Sequence, residues 1–96
     1  MKPLAYAIHF ADPSVAKVAL RLPDAMYDRI NEAIQTLGAE PRGLKTKKLH
    51  GFHPPLYELR VHPYWVVYDV HDETQTVVIL GIIHRKDLEK FLRRMR

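Results

Sequence analysis

Four residues in the second half of the chain have side chains suited to chemistry at a phosphate group. They are Arg60, Trp65, His84 and Arg85. An arginine fork can hold two phosphate oxygens and keeps its charge throughout the physiological pH range. A histidine can take up or release a proton near neutral pH, and a tryptophan can stack on an unpaired base. If the fold brings these side chains together, they predict a site that binds and acts on a phosphodiester.

Each of these residues also has an ordinary structural explanation. Arg85 can form a surface ion pair, for example with Glu89. His84 can be a histidine at a strand end that is hydrogen-bonded to the backbone. Trp65 can pack under a C-terminal helix, because tryptophan is usually mostly buried. The residue types alone leave both interpretations open.

The positive charge of the chain is concentrated in its second half. Residues 1–40 carry four basic and five acidic side chains, whereas residues 41–96 carry eleven and six. A basic surface of this kind favours nucleic acid or an acidic protein as partner, although it also serves solubility. We predict that five basic side chains contact RNA: Lys45, Lys47, Lys48, His50 and His62.

Metal and cofactor chemistry is not indicated. The chain has no cysteine, which excludes disulfides, thiolate ligands and cysteine nucleophiles. Its six histidines include no His-x-x-x-His pair of the kind that binds zinc on a helix, and His50 and His53 lie in a proline-containing segment. We therefore expect neither a metal nor a cofactor.

The size and composition predict one globular domain over residues 1–96. Hydrophobic residues make up 47% of the chain, which is too high for a disordered protein. No apolar run approaches the ~18 residues of a membrane span, and the first residues lack a signal-peptide core. We expect a soluble cytoplasmic protein without a membrane partner.

The hydrophobic pattern predicts an α+β fold with a strand, a helical hairpin, three antiparallel strands and a C-terminal helix. The strands are expected over 4–10, 56–62, 64–70 and 76–83, and the helices over 13–22, 24–37 and about 86–95. The stretch 39–55 shows no period and is predicted to be a loop. Residues 76–83 are apolar on both faces and are expected in the central strand. The helices are expected on one side of the sheet.

A tight turn at His62-Pro63 fixes the pairing of the two strands that it joins. By counting from the turn, Arg60 lies opposite Trp65. The next pairs are Leu59 with Val66 and Glu58 with Val67. Three tyrosines fall on the other face from Trp65 and are interpreted as core residues: Tyr57, Tyr64 and Tyr68.

Four motifs follow one another in the second half. They are Lys-Lys-Leu-His-Gly at 47–51, Leu-Tyr-Glu-Leu-Arg-Val at 56–61, Tyr-Trp-Val-Val-Tyr at 64–68 and Val-Ile-Leu-Gly-Ile-Ile-His-Arg at 78–85. In order and spacing these motifs resemble the RelE/ParE-type toxins of bacterial and archaeal toxin–antitoxin pairs. The first half agrees through its strand–helix–helix pattern.

The resemblance implies a RelE-like fold and a toxin that a cognate antitoxin neutralises. Pro63-Tyr64-Trp65 is similar to a Pro-x-Trp motif of the YafQ branch, which cleaves mRNA on the ribosome. This implies a metal-independent mRNA endoribonuclease with mRNA and the ribosome as partners, and Arg85 best matches a functional arginine of the family. The match is incomplete, because RelE-like ribonucleases usually have arginine at the position of Trp65. The YafQ-branch aspartate corresponds to Tyr64, and one of its histidines to Arg60.

Two alternatives share the same fold. One is a ParE-like inhibitor of DNA gyrase, a binding protein without catalysis. The other is a degenerate relative that retains only the surface that binds an antitoxin. Toxicity should depend on Arg60, Trp65, His84 and Arg85 if the chain is a ribonuclease, and little if it inhibits gyrase.

Overall fold

The computed structural model describes residues 5–96, and Leu4 of the predicted first strand lies outside them. The elements are β1 (Ala7–Phe10), α1 (Pro13–Leu20), α2 (Asp24–Thr36), β2 (Thr46–Leu49), β3 (Leu56–Val61), β4 (Tyr64–His71), β5 (Thr76–His84), a 3₁₀ turn (Arg85–Asp87) and α3 (Leu88–Met95). Asp12 caps α1 by accepting a hydrogen bond from the Ser14 backbone N–H at 2.8 Å, and Pro13 occupies the first helical position. The predicted α+β class is confirmed.

The five strands form one sheet in the order β1-β5-β4-β3-β2. β1 runs parallel to β5, and the other neighbours are antiparallel. β5 lies inside the sheet as its apolar sequence indicates, but β4 occupies the central position. The predicted register of β3 and β4 is confirmed, with Arg60 opposite Trp65 and Glu58 opposite Val67.

The prediction of an uninterrupted loop over 39–55 is wrong, because β2 lies within it. β2 pairs with β3 at the edge of the sheet and places Lys47 opposite Glu58 and Lys48 opposite Tyr57. Lysines are frequent on edge strands, where they discourage pairing with another chain. Two adjacent lysines hide the alternation by which a strand is usually recognised.

The helical hairpin α1–α2 covers one face of the sheet and forms the larger core. Its best-buried members include Ile30 and Leu37 from the hairpin region and Tyr68 and Ile79 from the strands, each with at most 1% of its surface exposed. Tyr57 and Tyr64 pack against the same cluster. The interpretation of the three tyrosines as core residues is therefore confirmed.

The expectation that all helices lie on one side is wrong in one respect, because α3 covers part of the opposite face. Leu88, Phe91 and Leu92 of α3 pack with a second cluster that contains Val67 and Leu80. Consecutive strand residues point to opposite faces, and Val66 and Val67 are both fully buried, so the sheet must be covered twice. None of the helices in the described residues is long and apolar enough to cross a membrane.

Arg42 fastens the segment before β2 to the sheet. Its guanidinium donates two hydrogen bonds to Asp72, at 2.8 and 3.1 Å, and a third to the Tyr57 hydroxyl at 3.0 Å. Tyr6 also donates to Asp72, at 2.7 Å. The hydrogen bonds from Arg42, followed by that from Tyr6, hold the pKa of Asp72 below its usual value.

The adjacent Tyr68 is held in the same region. Its hydroxyl donates to the Pro41 carbonyl at 2.6 Å, and burial raises the pKa of Tyr68 to about 12. Together these contacts fix the chain at 41–42. The following residues, including Lys45 and β2, are thereby positioned beside β3.

Candidate functional site

Arg60 and Trp65 form a stacked pair on the face of the sheet that α3 partly covers. The guanidinium carbon of Arg60 lies 4.8 Å from the Trp65 ring centroid, a cation–π distance. Arg60 is exposed and Trp65 is half-buried. The pair follows directly from the register of β3 and β4, in which these residues are opposite each other. It presents a fixed positive charge beside an aromatic surface.

β2 brings a lysine to the same face. Lys47 lies opposite Glu58, which precedes Arg60 by two residues and therefore shares its face. Lys45, Lys47, Glu58 and Arg60 line an open groove of about 440 Å³ together with Leu44 and Thr46. Three cations thus converge on one groove, as a polyanion would require.

A second groove of about 540 Å³ lies on the other side of Arg60, between β3 and α2. Lys45 and Arg60 line both grooves, so the two adjoin at these side chains. His62 reaches this second groove, together with Arg29 and Glu32 of α2. Arg29 was not identified from the sequence because it belongs to the half with the negative net charge. Only the packing of α2 brings it beside β3.

Two of the predicted RNA-binding residues lie apart from these grooves. Lys48 points to the opposite face from Lys47, because it is paired with Tyr57 on the side of the helical hairpin. His50 is exposed in the turn that follows β2 and lines neither groove. Lys48 was grouped with Lys45 and Lys47 because the segment was interpreted as a loop, whereas strand alternation separates it from them.

His84 is on the other face of the sheet from Arg60 and Trp65. It ends β5 opposite Tyr64, and the two rings meet edge to face with centroids 5.3 Å apart. Its Nδ1 accepts a hydrogen bond from the Lys86 backbone N–H at 3.1 Å and caps the 3₁₀ turn. His84 therefore has the hydrogen bond to the backbone that is expected of a structural histidine at a strand end.

Arg85 lies at the same end of the sheet as the turn between β3 and β4. Its backbone N–H donates to the Pro63 carbonyl at 2.8 Å, and its side chain is exposed. Among residues 5–96 it forms no ion pair with Glu89. The backbone bond joins the end of β5 to the turn that carries His62.

Glu58 is a functional candidate that the sequence reasoning missed. It is 7% exposed, and it is the one charged residue among those buried in the described part of the chain. Within that part its carboxylate forms no ion pair, and it lines the groove of Lys45, Lys47 and Arg60. The signal in the sequence is an acidic residue in the middle of the apolar strand Leu-Tyr-Glu-Leu. No group of three or more possible metal ligands occurs within residues 5–96.

A family model described as the ParE toxin of the type II toxin–antitoxin system parDE matches residues 11–89. The chain belongs to this toxin family. Solved structures agree, and the resemblance to RelE/ParE toxins is confirmed. A search of the curated proteins gives no match.

Three solved structures of RelE proteins resemble this ParE-family toxin. The archaeal RelE–RelB complex of Pyrococcus horikoshii is 29% identical, with a TM-score of 0.72, and the match covers 85% of this chain and 97% of that one. The RelBE2 toxin–antitoxin complex of Mycobacterium tuberculosis is 26% identical, with a TM-score of 0.73 and coverages of 86% and 94%. A free mutant of the Escherichia coli toxin RelE is 22% identical, with a TM-score of 0.76 and coverages of 97% and 100%, and shows the common fold.

The grooves of this toxin are suited to binding an extended anion. Arginine and lysine supply phosphate contacts, and Trp65 supplies a surface for a base. Arg60 stands between the two grooves and can hold a phosphate there. The arrangement is therefore chemically suited both to binding an extended anion and to stabilising charge at one phosphate.

Proposed function

We propose that this type II toxin is a metal-independent mRNA endoribonuclease that acts on the ribosome in the cytoplasm. The observation that supports this most strongly is the stacked Arg60–Trp65 pair, which lies beside a groove lined by Lys45 and Lys47. A base can stack on the tryptophan while the cations hold the neighbouring phosphates. The YafQ-like Pro-Tyr-Trp motif at 63–65 agrees with this assignment.

In the proposed reaction the 2′-hydroxyl of the RNA attacks the adjacent phosphorus. A new O2′–P bond forms and the P–O5′ bond breaks, which leaves a 2′,3′-cyclic phosphate and a 5′-hydroxyl. Negative charge accumulates on the phosphoryl oxygens in the transition state, and Arg60 is proposed to stabilise it. Arg85 approaches the same end of the sheet and is proposed as a second cation at the phosphate. His84 remains a proposed acid–base group, although its ring faces away from Arg60.

A cognate antitoxin is the proposed protein partner. Three of the similar solved structures, 26–29% identical to this chain, are complexes of a RelE-type toxin with its antitoxin. The excess of basic side chains after residue 40 favours an acidic antitoxin segment that folds as it binds. Co-expression with the adjacent reading frame should relieve toxicity and yield a complex that copurifies.

The test of the enzymatic proposal is the fate of an mRNA in a translating extract. Purified toxin should produce discrete cleavage sites that primer extension can map, and cleavage of the same RNA without ribosomes should be weaker. An intact mRNA at toxin concentrations that arrest translation would refute the proposal.

The second candidate is inhibition of DNA gyrase without catalysis. The match of the chain to the ParE family model favours it. The same toxin preparation should therefore be added to a gyrase supercoiling assay. Loss of supercoiling with an intact mRNA would establish the gyrase reading, whereas neither effect together with a stable antitoxin complex would indicate a degenerate relative.

A further inference from the structure

The Glu58 side chain is mostly buried, but its carboxylate oxygens are not among the buried polar atoms that lack a partner, and the residue lines an open groove. A carboxylate without hydrogen bonds is costly to remove from water, and charged side chains are seldom fully buried unless they are paired. Glu58 is 7% exposed and forms no ion pair among the described residues, so its carboxylate meets solvent through the groove that it lines. Its neighbours in the strand, Tyr57 and Leu59, pack into the larger core on the other face of the sheet, so Glu58 points to the side of the groove.

The surroundings of Glu58 point to a role in the groove. The residue lines the groove with Lys45, Lys47 and Arg60, while its partner on β4 is the apolar Val67. Lys47 faces it across the β2–β3 ladder, and Arg60 follows it on the same face of β3. An acceptor of protons therefore lies among the cations that are proposed to hold the RNA phosphates.

We propose that Glu58 is the general base of the RNA cleavage reaction, an inference that rests on the proposed ribonuclease function. The Glu58 carboxylate takes the proton of the 2′-hydroxyl as the O2′–P bond forms, and the 5′-oxygen takes a proton from solvent water as the P–O5′ bond breaks. Glu58 then returns its proton to solvent. Arg60, two residues further along the strand, holds the phosphate on which the 2′-oxygen acts.

The histidines are placed less favourably for this step. His84 lies on the other face of the sheet and uses Nδ1 to accept a backbone hydrogen bond. His62 lines the neighbouring groove between β3 and α2 rather than the groove that contains Glu58. The carboxylate is thus the acid–base group that shares a groove with Lys47 and Arg60.

The experiment compares wild type, Glu58→Gln and Glu58→Asp, with Glu73→Gln as the matched control. Glu73 is exposed in the turn between β4 and β5, so its change removes the same charge far from the grooves. Each variant is assayed for mRNA cleavage in a translating extract. Binding is measured with a single-stranded RNA oligonucleotide that carries a 2′-deoxy sugar at the mapped cleavage position, and melting curves report folding.

A general base gives a specific combination of results. Glu58→Gln should lower the cleavage rate by roughly 10² or more while RNA binding is equal or tighter, because a negative charge has left the groove. Glu58→Asp should recover part of the rate, and Glu73→Gln should behave as wild type. The fall of the wild-type rate on acidification should be absent from the residual activity of Glu58→Gln.

Two outcomes overturn the inference in distinguishable ways. If wild type cleaves and a folded Glu58→Gln cleaves equally well, Glu58 is only a charge that balances the lysines, and the ribonuclease function stands. If wild type does not cleave, the ribonuclease function fails and the assignment of Glu58 fails with it. If Glu58→Gln does not fold, Glu58→Asp decides: a folded Glu58→Asp that binds RNA as wild type does but cleaves it more slowly supports the base, and one that cleaves at the wild-type rate refutes the base.

Discussion

Gly81→Ala should destabilise the protein, because Gly81 lies where α3 meets the sheet. A Cβ atom at this position would lie 2.8 Å from Cζ and 2.9 Å from Cε1 of Phe91, against 3.4–4 Å for ordinary contact. The Phe91 ring would have to swing away or α3 would have to lift. Overpacking of this kind costs about 1–3 kcal/mol.

An opposing effect reduces this cost. Replacement of a glycine by alanine restricts the unfolded chain and favours the folded state by about 0.4–1 kcal/mol. We therefore expect a net loss of about 1–2 kcal/mol in the free energy of unfolding. For a domain of this size the melting temperature should fall by roughly 4–16 °C.

Urea unfolding can measure this change through the single tryptophan, Trp65, which lies opposite Ile83 on β5. Phe91→Leu removes the two ring atoms that clash, so the double variant should lose less than the sum of the single losses, with a coupling energy of about 1 kcal/mol. If Gly81→Ala is neutral or stabilising, or if the two changes are additive, α3 does not pack on this face. The position of α3 over part of the sheet face that carries Arg60 and Trp65 would then be wrong.

Three further predictions concern the charge network and the grooves. Because Arg42 lowers the pKa of Asp72, this pair stabilises the fold at pH values above 3.8, the ordinary pKa of aspartate, and the stabilisation should be lost as the pH falls below it. In Arg42→Ala, the free energy of unfolding measured between neutral and acid pH should therefore fall less steeply. Lys47→Ala should weaken RNA binding and reduce the magnitude of the slope of log affinity against log salt concentration by roughly 0.7. Lys48→Ala, on the other face of β2, should change both quantities less. Equal effects of the two variants in filter-binding titrations would contradict RNA binding in the groove lined by Lys47. Trp65→Ala should weaken binding of an RNA oligonucleotide by about 1–3 kcal/mol and Trp65→Phe by less, while equal affinities for all three proteins would exclude stacking.

Much of the fold could be predicted because its signals are local. Asp12-Pro13 marks the start of α1, and the turn at His62-Pro63 fixes the β3–β4 register to the residue. β2 could not be predicted from Thr46–Leu49, because its pairing with β3 depends on partners 7 to 13 residues away and on the anchoring of the chain by Arg42. The position of α3 depends on which sheet face remains uncovered, a property of the whole sheet rather than of the helix.

Part of the candidate site could be predicted as well, because its signals are also local. Arg60 and Trp65 are neighbours across one hairpin, so counting from the turn brings them together. His84 and Lys48 were grouped with them by closeness in sequence or motif, and strand alternation sends both to the opposite face. Arg29 was missed because a surface arginine on a helix has no distinguishing pattern, and Glu58 was missed because an acidic residue in an apolar strand does not by itself show that a groove lies beside it.

The cleavage rate of Arg60→Ala in a translating extract, mapped by primer extension, tests most directly whether the sheet face that carries Arg60 cleaves mRNA. Loss of the guanidinium at the phosphate should lower the rate by about 10² to 10³. Arg21→Ala, which removes an exposed arginine at the end of α1, serves as the matched control and should cleave as wild type does. A folded Arg60→Ala that cleaves the same sites at the rate of the control would refute the proposed role of Arg60 in cleavage.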